Sequence, residues 1–437
     1  MKPINVGLLG IGTVGGGTFT VLARNQEVIT RRAGRPIRIT RVADCDLERA
    51  HAITKGTAEV TSDAFSVVAD PNIDIVVELI GGCTVAKELV LKSIENGKHV
   101  VTANKALLAV HGNEIFAAAQ KKGVIVAFEA AVAGGIPIIK AVREGLTANR
   151  IEWIAGIING TTNFILSEMR DKGLAFADVL KEAQRLGYAE ADPTFDVEGI
   201  DAAHKLTILS AISFGIPMQF DKAYTEGISK LTREDIRYAE ELGYRVKLLG
   251  ITKHTDKGVE LRVHPTLIPA KRLIANVNGA MNAVLVKGDA VGPTMYYGAG
   301  AGAEPTASSV VADLVDVTRM HTADPHHRVP HLAFQPDQLS DIPILPMDEV
   351  RTAYYLRLRA LDKPGVLADV ARILADLQIS IGAMLQKEPA EGEDAADIIM
   401  LTHITLEKNI NQAIAKIEAL PTISGKVTRI RMEDLGK

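Results

Sequence analysis

The sequence predicts an α/β protein in three units: a doubly wound parallel sheet, a mixed α+β unit and a small C-terminal βαββαβ unit. Three observations predict this. Short Val- and Ile-rich runs alternate with helical stretches over the first 130 residues. Longer mixed segments follow from about residue 150 to about 320. Four prolines, Pro330, Pro336, Pro343 and Pro346, then precede a final stretch of about 80 residues with its own strand–helix order.

In the first unit, Ile4–Leu9, Ile37–Ala43, Ile73–Ile80, His99–Thr102 and Val124–Phe128 read as strands. Each is short and nearly all apolar, as strands covered on both faces are. Ala86–Asn96 and Lys105–Lys122 have helical periodicity, and strands alternating with helices argue for a doubly wound parallel sheet. In the second unit, Thr161–Lys172, Ala175–Leu186, Asp201–Phe214 and Arg233–Leu242 read as helices, and Ile151–Ile158, Val246–Lys253 and Val259–Pro265 as strands. Residues 303–320 read as a further helix. Prolines as dense as those of 330–347 resist regular structure, which predicts a linker. Beyond it come strand Tyr354–Leu361, helix Val366–Leu377, strands Ile379–Gln386 and Ala396–Leu406, helix Asn409–Leu420 and strand Val427–Met432. That order is ferredoxin-like. The acidic stretch 388–394 fits an exposed hairpin loop.

At 437 residues the chain has room for two to four domains of roughly 100–200 residues. Hydrophobic residues at 47% and charged residues at 23% exclude a largely disordered chain. With 49 basic against 53 acidic residues, no basic excess points to nucleic acid. Two cysteines, Cys45 and Cys83, make no disulfide framework and suggest a reducing compartment. The N-terminal apolar run is broken by glycines, unlike a signal-peptide core, and no run reaches the roughly 18 residues of a membrane span. The expected location is the cytoplasm.

The first motif is Gly10-Ile11-Gly12-Thr13-Val14-Gly15, between a strand and a helix. Gly10 permits the tight turn, Gly12 lets a pyrophosphate approach the backbone, and Gly15 allows close helix–strand packing. At the start of a βα-repeating unit this reads as a Rossmann-type dinucleotide loop; a glycine-rich βα turn without a ligand has the same pattern. Asp44 ends the second strand, where a carboxylate meets the adenosine ribose and favours NAD. Arg41 and Arg49 flank it and suit the extra phosphate of NADP, so cofactor choice stays open. Gly81, in Glu78-Leu79-Ile80-Gly81-Gly82, and Lys105, in Thr102-Ala103-Asn104-Lys105, lie at strand ends where such folds bind ligands. Further on, Glu190, Asp192 and Asp196 precede Asp201 and Lys205, which share one helix face at i and i+4. Carboxylates around a lysine suit an amino-acid ligand: the acids hold an ammonium group, and the lysine protonates a developing alkoxide. An ordinary helix ion pair has the same spacing.

GIGTVG, TANKALLA, NGTTNFIL, GYAEADPTFDVEGIDAAHKL and YYGAGAGAEPTASSVVADL together resemble the homoserine dehydrogenase family, of the monofunctional type with a C-terminal ACT domain. The resemblance spans essentially the whole chain. It implies NAD(P)H-dependent reduction of L-aspartate 4-semialdehyde to L-homoserine, reversibly, in threonine, methionine and isoleucine biosynthesis. It implies that Lys205 is the acid/base, with Asp201 beside it in catalysis. Glu190, Asp196, Asp201 and Lys105 would bind substrate. The cofactor would meet Gly10, Gly12, Thr13, Val14, Gly15, Asp44, Gly81, Lys105, Gly187 and Gly302. A sodium ion is implied at Glu129 through its carboxylate and at Val132, Gly134 and Ile136 through their carbonyls, oxygen ligands as hard cations take. A dimer or tetramer is expected.

The domain division expected on this basis is 1–130 with 303–325 for the dinucleotide, 131–302 for catalysis and dimerisation, 326–350 as linker, and 351–437 as ACT regulatory unit. Asp362-Lys363-Pro364-Gly365 resembles the ACT turn that receives an amino acid's carboxylate, and threonine is the implied signal. Ser380 stands where amino-acid-binding ACT domains often carry asparagine. A linker-tethered ACT unit implies that the chain cut near Asp341 folds and works. Two other readings stand beside this one. One is a non-catalytic dinucleotide and amino-acid sensor; the other is an aldehyde dehydrogenase with Cys83 as nucleophile. His321, His326, His327 and His331 lack convincing zinc spacing.

Overall fold

A computed structural model describes residues 2–436 apart from 388 and 390–392, so most of the expected acidic hairpin loop lies outside the described residues. Residues 4–127 build a six-stranded parallel sheet in the order Glu59–Thr61, Ile37–Ala43, Ile4–Leu9, Ile75–Glu78, His99–Thr102, Val126–Ala127. The order reverses beside Ile4–Leu9, which pairs with Ile37–Ala43 on one side and Ile75–Glu78 on the other. A crevice therefore opens at the carboxyl ends of these strands, where doubly wound sheets bind ligands. Helix Ala303–Met320 returns from far along the chain to this unit. Its Ala307, Val310 and Leu314 join Val21 and Leu22 of helix Thr13–Arg24 in one buried core.

The second sheet has eleven strands among the described residues. Its main path runs Gly292–Ala299, Met281–Gly288, Ile151–Ile157, Tyr244–Thr255, Gly258–Pro269, Ile423–Met432, Arg351–Leu361, Ala395–Thr402, Ile381–Gln386. Helices Gly160–Lys172 and Ile200–Phe214 pack on it and share its large core. The last four strands, with helices Val366–Asp376 and Glu407–Glu418, complete the predicted βαββαβ order.

One expectation is corrected here. The C-terminal unit is not a module on a free linker: strand Ile423–Met432 pairs with Gly258–Pro269 through Thr266–Arg431 and Leu267–Met432, so one sheet crosses both units. Buried ion pairs reinforce the seam. Arg357 Nε lies 2.6 Å from Oδ1 of Asp235, which is fully buried on helix Arg233–Glu241, and Arg431 Nη1 lies 2.8 Å from Glu226 Oε2. The Pro-rich segment is irregular, as its composition predicts, but it is strapped down. Val259 donates to the Pro343 carbonyl and Leu345 to the Val259 carbonyl (2.9 and 2.8 Å), and Leu332 and Ile344 are buried. The prolines prevent helix and strand; the apolar residues between them supply the adhesion.

Candidate active site

The glycine loop follows strand Ile4–Leu9 directly. Gly10 has φ +89°, a conformation that favours glycine. A side chain at Gly15 would put its Cβ 2.0 Å from the Gly10 carbonyl oxygen, so helix Thr13–Arg24 can press this close only with glycine there. Gly12 borders open space, and Thr13 at the helix N-terminus is exposed. Amides and helix dipole thus face the crevice, as phosphate binding requires. Asp44 stands at the end of the second strand. Its Oδ2 accepts from the Ile11 amide at 2.6 Å, and its Oδ1 from the Asp46 amide and Arg49 at 2.8 and 3.2 Å. Burial opposes its charge, but these amides and Arg49 hold the carboxyl below its ordinary value. Arg41 turns away to Asp70 and Glu59, leaving Arg49 as the cation beside Asp44.

Across the crevice, Glu78 is fully buried and shapes the next loop. Its Oε1 accepts from the Ile80 and Gly81 amides (3.0 and 3.2 Å) and its Oε2 from the Thr102 hydroxyl (2.7 Å). Burial pushes its pKa up. Gly81 and Gly82 are exposed, with open space where side chains would stand. Asn104 donates to the Gly82 carbonyl at 2.7 Å and caps helix Lys105–Lys122 by accepting from the Leu107 amide. That cap aims Lys105, the helix's first residue, at the site.

The carboxylate of Asp201 gathers the cluster. Its Oδ2 is 2.7 Å from Lys205 Nζ and its Oδ1 is 3.2 Å from Lys105 Nζ. Lys205 also donates to the Ile158 carbonyl at 2.8 Å. Burial alone would raise the pKa of Asp201; Lys205 and Lys105 outweigh it and hold the carboxyl far below its ordinary value. Asp196 is nearby through Asn159, whose amide nitrogen donates to Asp196 Oδ1 at 2.7 Å and to Asp201 Oδ2 at 2.9 Å. Burial and then Asp201 raise the pKa of Asp196.

Sequence reasoning missed Asn159 as a site residue. Its local signal is the N-cap of helix Gly160–Lys172, where its Oδ1 accepts from the Thr162 amide at 2.8 Å. His204 was also missed. It is buried between Phe195 and Phe220, and burial lowers its pKa to about 4. Glu190 and Gly187 lie exposed on the loop before Asp192, and the Glu190 carboxylate has no hydrogen-bond partner among the described residues.

Residues 129–136 run close to the Gly300-Ala301-Gly302 turn that starts helix Ala303–Met320. A side chain at Gly134 would meet the Gly300 carbonyl oxygen at 2.5 Å. The Glu129 carboxylate is buried and accepts from the Ile139 and Lys140 amides, both at 2.8 Å. Burial lifts its pKa to about 7, and burial, with the neighbouring Glu129, also pushes the pKa of Asp313 well up. The Gly134 carbonyl accepts from Ser309 and the Ile136 carbonyl from the Ile138 amide, leaving each a second lone pair. All the donors here are oxygen, and the two buried acids lack a full countercharge, so the residues fit a hard cation. Among the described residues no group of three or more His, Cys, Asp and Glu side chains is arranged to hold a metal. His331 accepts from the Val126 amide, and His321 meets His99 edge to face, with ring centroids 5.2 Å apart. Cys83 is half-buried ahead of helix Thr84–Glu95. In the C-terminal unit, Gly365 precedes helix Val366–Asp376 beside open space, and Ser380 is exposed.

Residues 10–129 match the family model described as homoserine dehydrogenase, NAD binding domain; residues 137–315 match homoserine dehydrogenase; residues 354–422 match the ACT domain. The chain is 67% identical to a homoserine dehydrogenase of Pseudomonas aeruginosa, with all of both chains covered. It superposes on the crystal structure of a homoserine dehydrogenase from Thiobacillus denitrificans with a TM-score of 0.96 at 77% identity, covering 100% of this chain and 99% of that one. A hyperthermophilic archaeal homoserine dehydrogenase solved in complex with NADPH matches 72% of this chain and 98% of its own, with a TM-score of 0.62 at 25% identity.

Proposed function

Since the chain belongs to the homoserine dehydrogenase family, we propose that its crevice interconverts L-aspartate 4-semialdehyde and L-homoserine, with Lys205 moving the proton. It is an oxidoreductase that uses a nicotinamide dinucleotide. The assignment of roles is carried by one observation: a buried carboxylate, Asp201, bridges two lysines at the mouth of the dinucleotide crevice.

The dinucleotide, when bound, supplies the hydride to the aldehyde carbon or accepts it from homoserine. The chain's own residues manage charge and position. As the carbonyl oxygen becomes an alkoxide, the Lys205 ammonium gives it a proton and is recharged from solvent. Asp201 and the Ile158 carbonyl fix the direction of Lys205 Nζ. Lys105, one residue past the Asn104 that holds the Gly82 carbonyl and ion-paired with Asp201, would serve both ligands. Glu190 and Asp196 hold the substrate's ammonium group. Gly10, Gly12, Thr13, Val14, Gly15, Asp44, Gly81, Gly187 and Gly302 line the dinucleotide path, with Asp44 and Arg49 at the ribose end setting the balance of NAD against NADP.

Initial rates of homoserine oxidation with NAD and NADP side by side test the reading. Reduction of neither cofactor would overturn it. A Cys83→Ala variant is expected to retain turnover, and its loss would restore the aldehyde dehydrogenase reading.

The domain division we propose assigns 1–130 with 303–325 to the dinucleotide, 131–302 to substrate and self-association, and 351–437 to regulation, joined by a packed strap at 326–350. Sodium at Glu129, Val132, Gly134 and Ile136 would supply the countercharge that the buried acids lack. In the Asp362–Gly365 turn the Asp362 and Lys363 amides are already paired and Pro364 has none, which leaves the Gly365 amide, ahead of helix Val366–Asp376, for threonine's carboxylate. Strand Gly292–Ala299, at the open end of the second sheet and carrying exposed Tyr297, suits pairing with a second copy of the chain in a dimer or tetramer. No helix among the described residues is long and apolar enough to cross a membrane, and we place the enzyme in the cytoplasm.

A further inference from the structure

Arg431, on strand Ile423–Met432, is 1% exposed. Its guanidinium donates to both oxygens of Glu407 (3.0 and 2.5 Å) and, from another nitrogen, to Glu226 Oε2 (2.8 Å). Glu226 belongs to the second unit. It follows the two-residue strand Tyr224–Thr225, which pairs with Gly258–Pro269, and its amide donates to the Val263 carbonyl. The Tyr224 hydroxyl donates to the same Glu226 oxygen at 2.7 Å.

From Glu226 the chain runs directly under the site. A side chain at Gly227 would place its Cβ 2.4 Å from the Val197 carbonyl oxygen and 2.5 Å from the Glu198 Cα. The Ile228 amide donates to that same Val197 oxygen at 2.8 Å. Thr225 packs on Gly199, which is left-handed at φ +81° and starts helix Ile200–Phe214. Val197 ends the short helix Thr194–Val197 that carries Asp196, and Gly199 lies two residues before Asp201. Residues 225–228 therefore wedge against the backbone of both substrate-side carboxylates, and Arg431 holds the wedge from the C-terminal unit.

We propose that the Arg431–Glu226 pair is a strut through which the C-terminal unit sets the position of Asp196 and Asp201, and that Glu226 is a positioning residue for the reaction. Burial works against the Glu226 charge, and Arg431 outweighs it, which keeps the strut ionised. The proposal rests on the reading of Asp201 and Lys205 as the reacting centre.

Steady-state kinetics of the full chain test it with three variants. Glu226→Ala leaves Arg431 paired with Glu407 and is expected to raise KM for homoserine about tenfold, with the KM for dinucleotide unchanged. Glu226→Gln keeps hydrogen-bonding atoms toward Arg431 and Tyr224 and is expected to recover most of that loss. Gly227→Ala leaves the ion pair intact but crowds Val197, and should reproduce the homoserine defect. Normal homoserine kinetics in Glu226→Ala, or an equal defect toward the dinucleotide, would overturn the strut. Lys205→Ala separates the two readings: if it kills turnover while Glu226→Ala is kinetically normal, only the strut falls; if Lys205→Ala stays active, the reacting centre itself is misassigned.

Discussion

Asp201 and Lys205 meet at 2.7 Å across one turn of a single helix, and the same carboxylate reaches Lys105 on a helix almost a hundred residues earlier in the chain. The first contact is an ordinary i, i+4 pair, which on a solvated surface contributes a few tenths of a kcal/mol. Here Asp201 is 4% exposed, so the pair is fixed rather than fluctuating. A lysine held this way presents its proton in one direction. Lys205→Ala is expected to lower kcat by about 10²–10⁴-fold, the range for a positioned acid–base group. Dinucleotide affinity, measured by fluorescence titration, should stay close to that of the unaltered chain. A variant that keeps near-normal kcat would remove Lys205 from the chemistry.

Glu190 and Asp201 are expected to act on substrate rather than cofactor, though they sit differently. Glu190 is exposed, and its carboxylate has no partner among the described residues, whereas Asp201 is enclosed by Lys105, Lys205 and Asn159. Glu190→Gln should raise KM for homoserine with little effect on kcat, because a free carboxylate is available for binding alone. Asp201→Asn should depress kcat as well, because it releases Lys205. A loss of dinucleotide affinity as large as the homoserine defect, in either variant, would contradict this division.

Much of this was legible in the sequence, and the parts that were not share a physical reason. Helix Lys105–Lys122 appears with its predicted ends because its start is an Asn cap and its stop is Gly123, both local signals. The hairpin of Met281–Gly288 and Gly292–Ala299 escaped notice: its second strand contains Gly292, Pro293 and Gly298 and is largely half-buried, so it shows no apolar alternation. Asn159 reads locally as a helix cap; its partners Asp196 and Asp201 lie 37 and 42 residues away, beyond any local pattern. The Pro-rich segment shows the same limit. Composition predicts that it is irregular, but its docking on Val259 and Gly215 is a long-range fact.

The acid limb of stability should carry the signature of His99. This ring is 5% exposed and its Nδ1 accepts from the Ile125 amide at 2.9 Å, so it is held neutral. Burial, with the neighbouring His321 and Arg328, lowers its pKa from 6.5 to about 3. The unfolded chain binds a proton near pH 6.5 and the folded one resists until far lower. The stabilisation is therefore complete above pH 6.5 and is lost as pH falls from there toward 3, at up to about 1.4 kcal/mol per pH unit for one group. Urea melts between pH 7 and pH 4 should show His99→Asn with a flatter fall than the parent. Parallel curves would mean that another group dominates the acid limb.

Cofactor preference should follow two side chains at the ribose end. Asp44 repels a 2′-phosphate, and Arg49, 47% exposed and 3.2 Å from it, attracts one. Arg49→Ala should lower kcat/KM with NADP about tenfold while changing NAD far less. Asp44→Ala should move the ratio the opposite way, at some cost to the loop, because it also strips the acceptor from the Ile11 amide. Equal effects of Arg49→Ala on both cofactors would place the phosphate elsewhere.

The fused sheet makes the fate of a truncated chain a sharp test. A tethered regulatory module would be dispensable, and a chain ending near Asp341 would fold, reduce the aldehyde and escape threonine. The structure argues for a different outcome. Removing residues beyond 341 takes away strand Ile423–Met432 and bares one edge of Gly258–Pro269. It also removes Arg357 from Asp235, which is fully buried, and Arg431 from Glu226. The same cut strips Tyr355, Ile399, Leu401 and Ile430 from the large core they share with the second unit, and baring buried apolar surface costs about 25 cal/mol per Å². The truncated chain is therefore expected to be insoluble or to melt well below the parent, in a thermal scan followed by circular dichroism. Regulation is better probed in the full chain by Gly365→Val, which places a side chain beside the open space at the Asp362–Gly365 turn and leaves the seam untouched. That variant should lose inhibition by L-threonine with a modest fall in melting temperature, because Gly365 has φ +93°, where a β-branched side chain is strained. If the truncated chain instead melts like the parent and keeps full turnover, the seam is only a contact between independent units. If threonine inhibits Gly365→Val and parent equally, it acts at the active site as a homoserine look-alike.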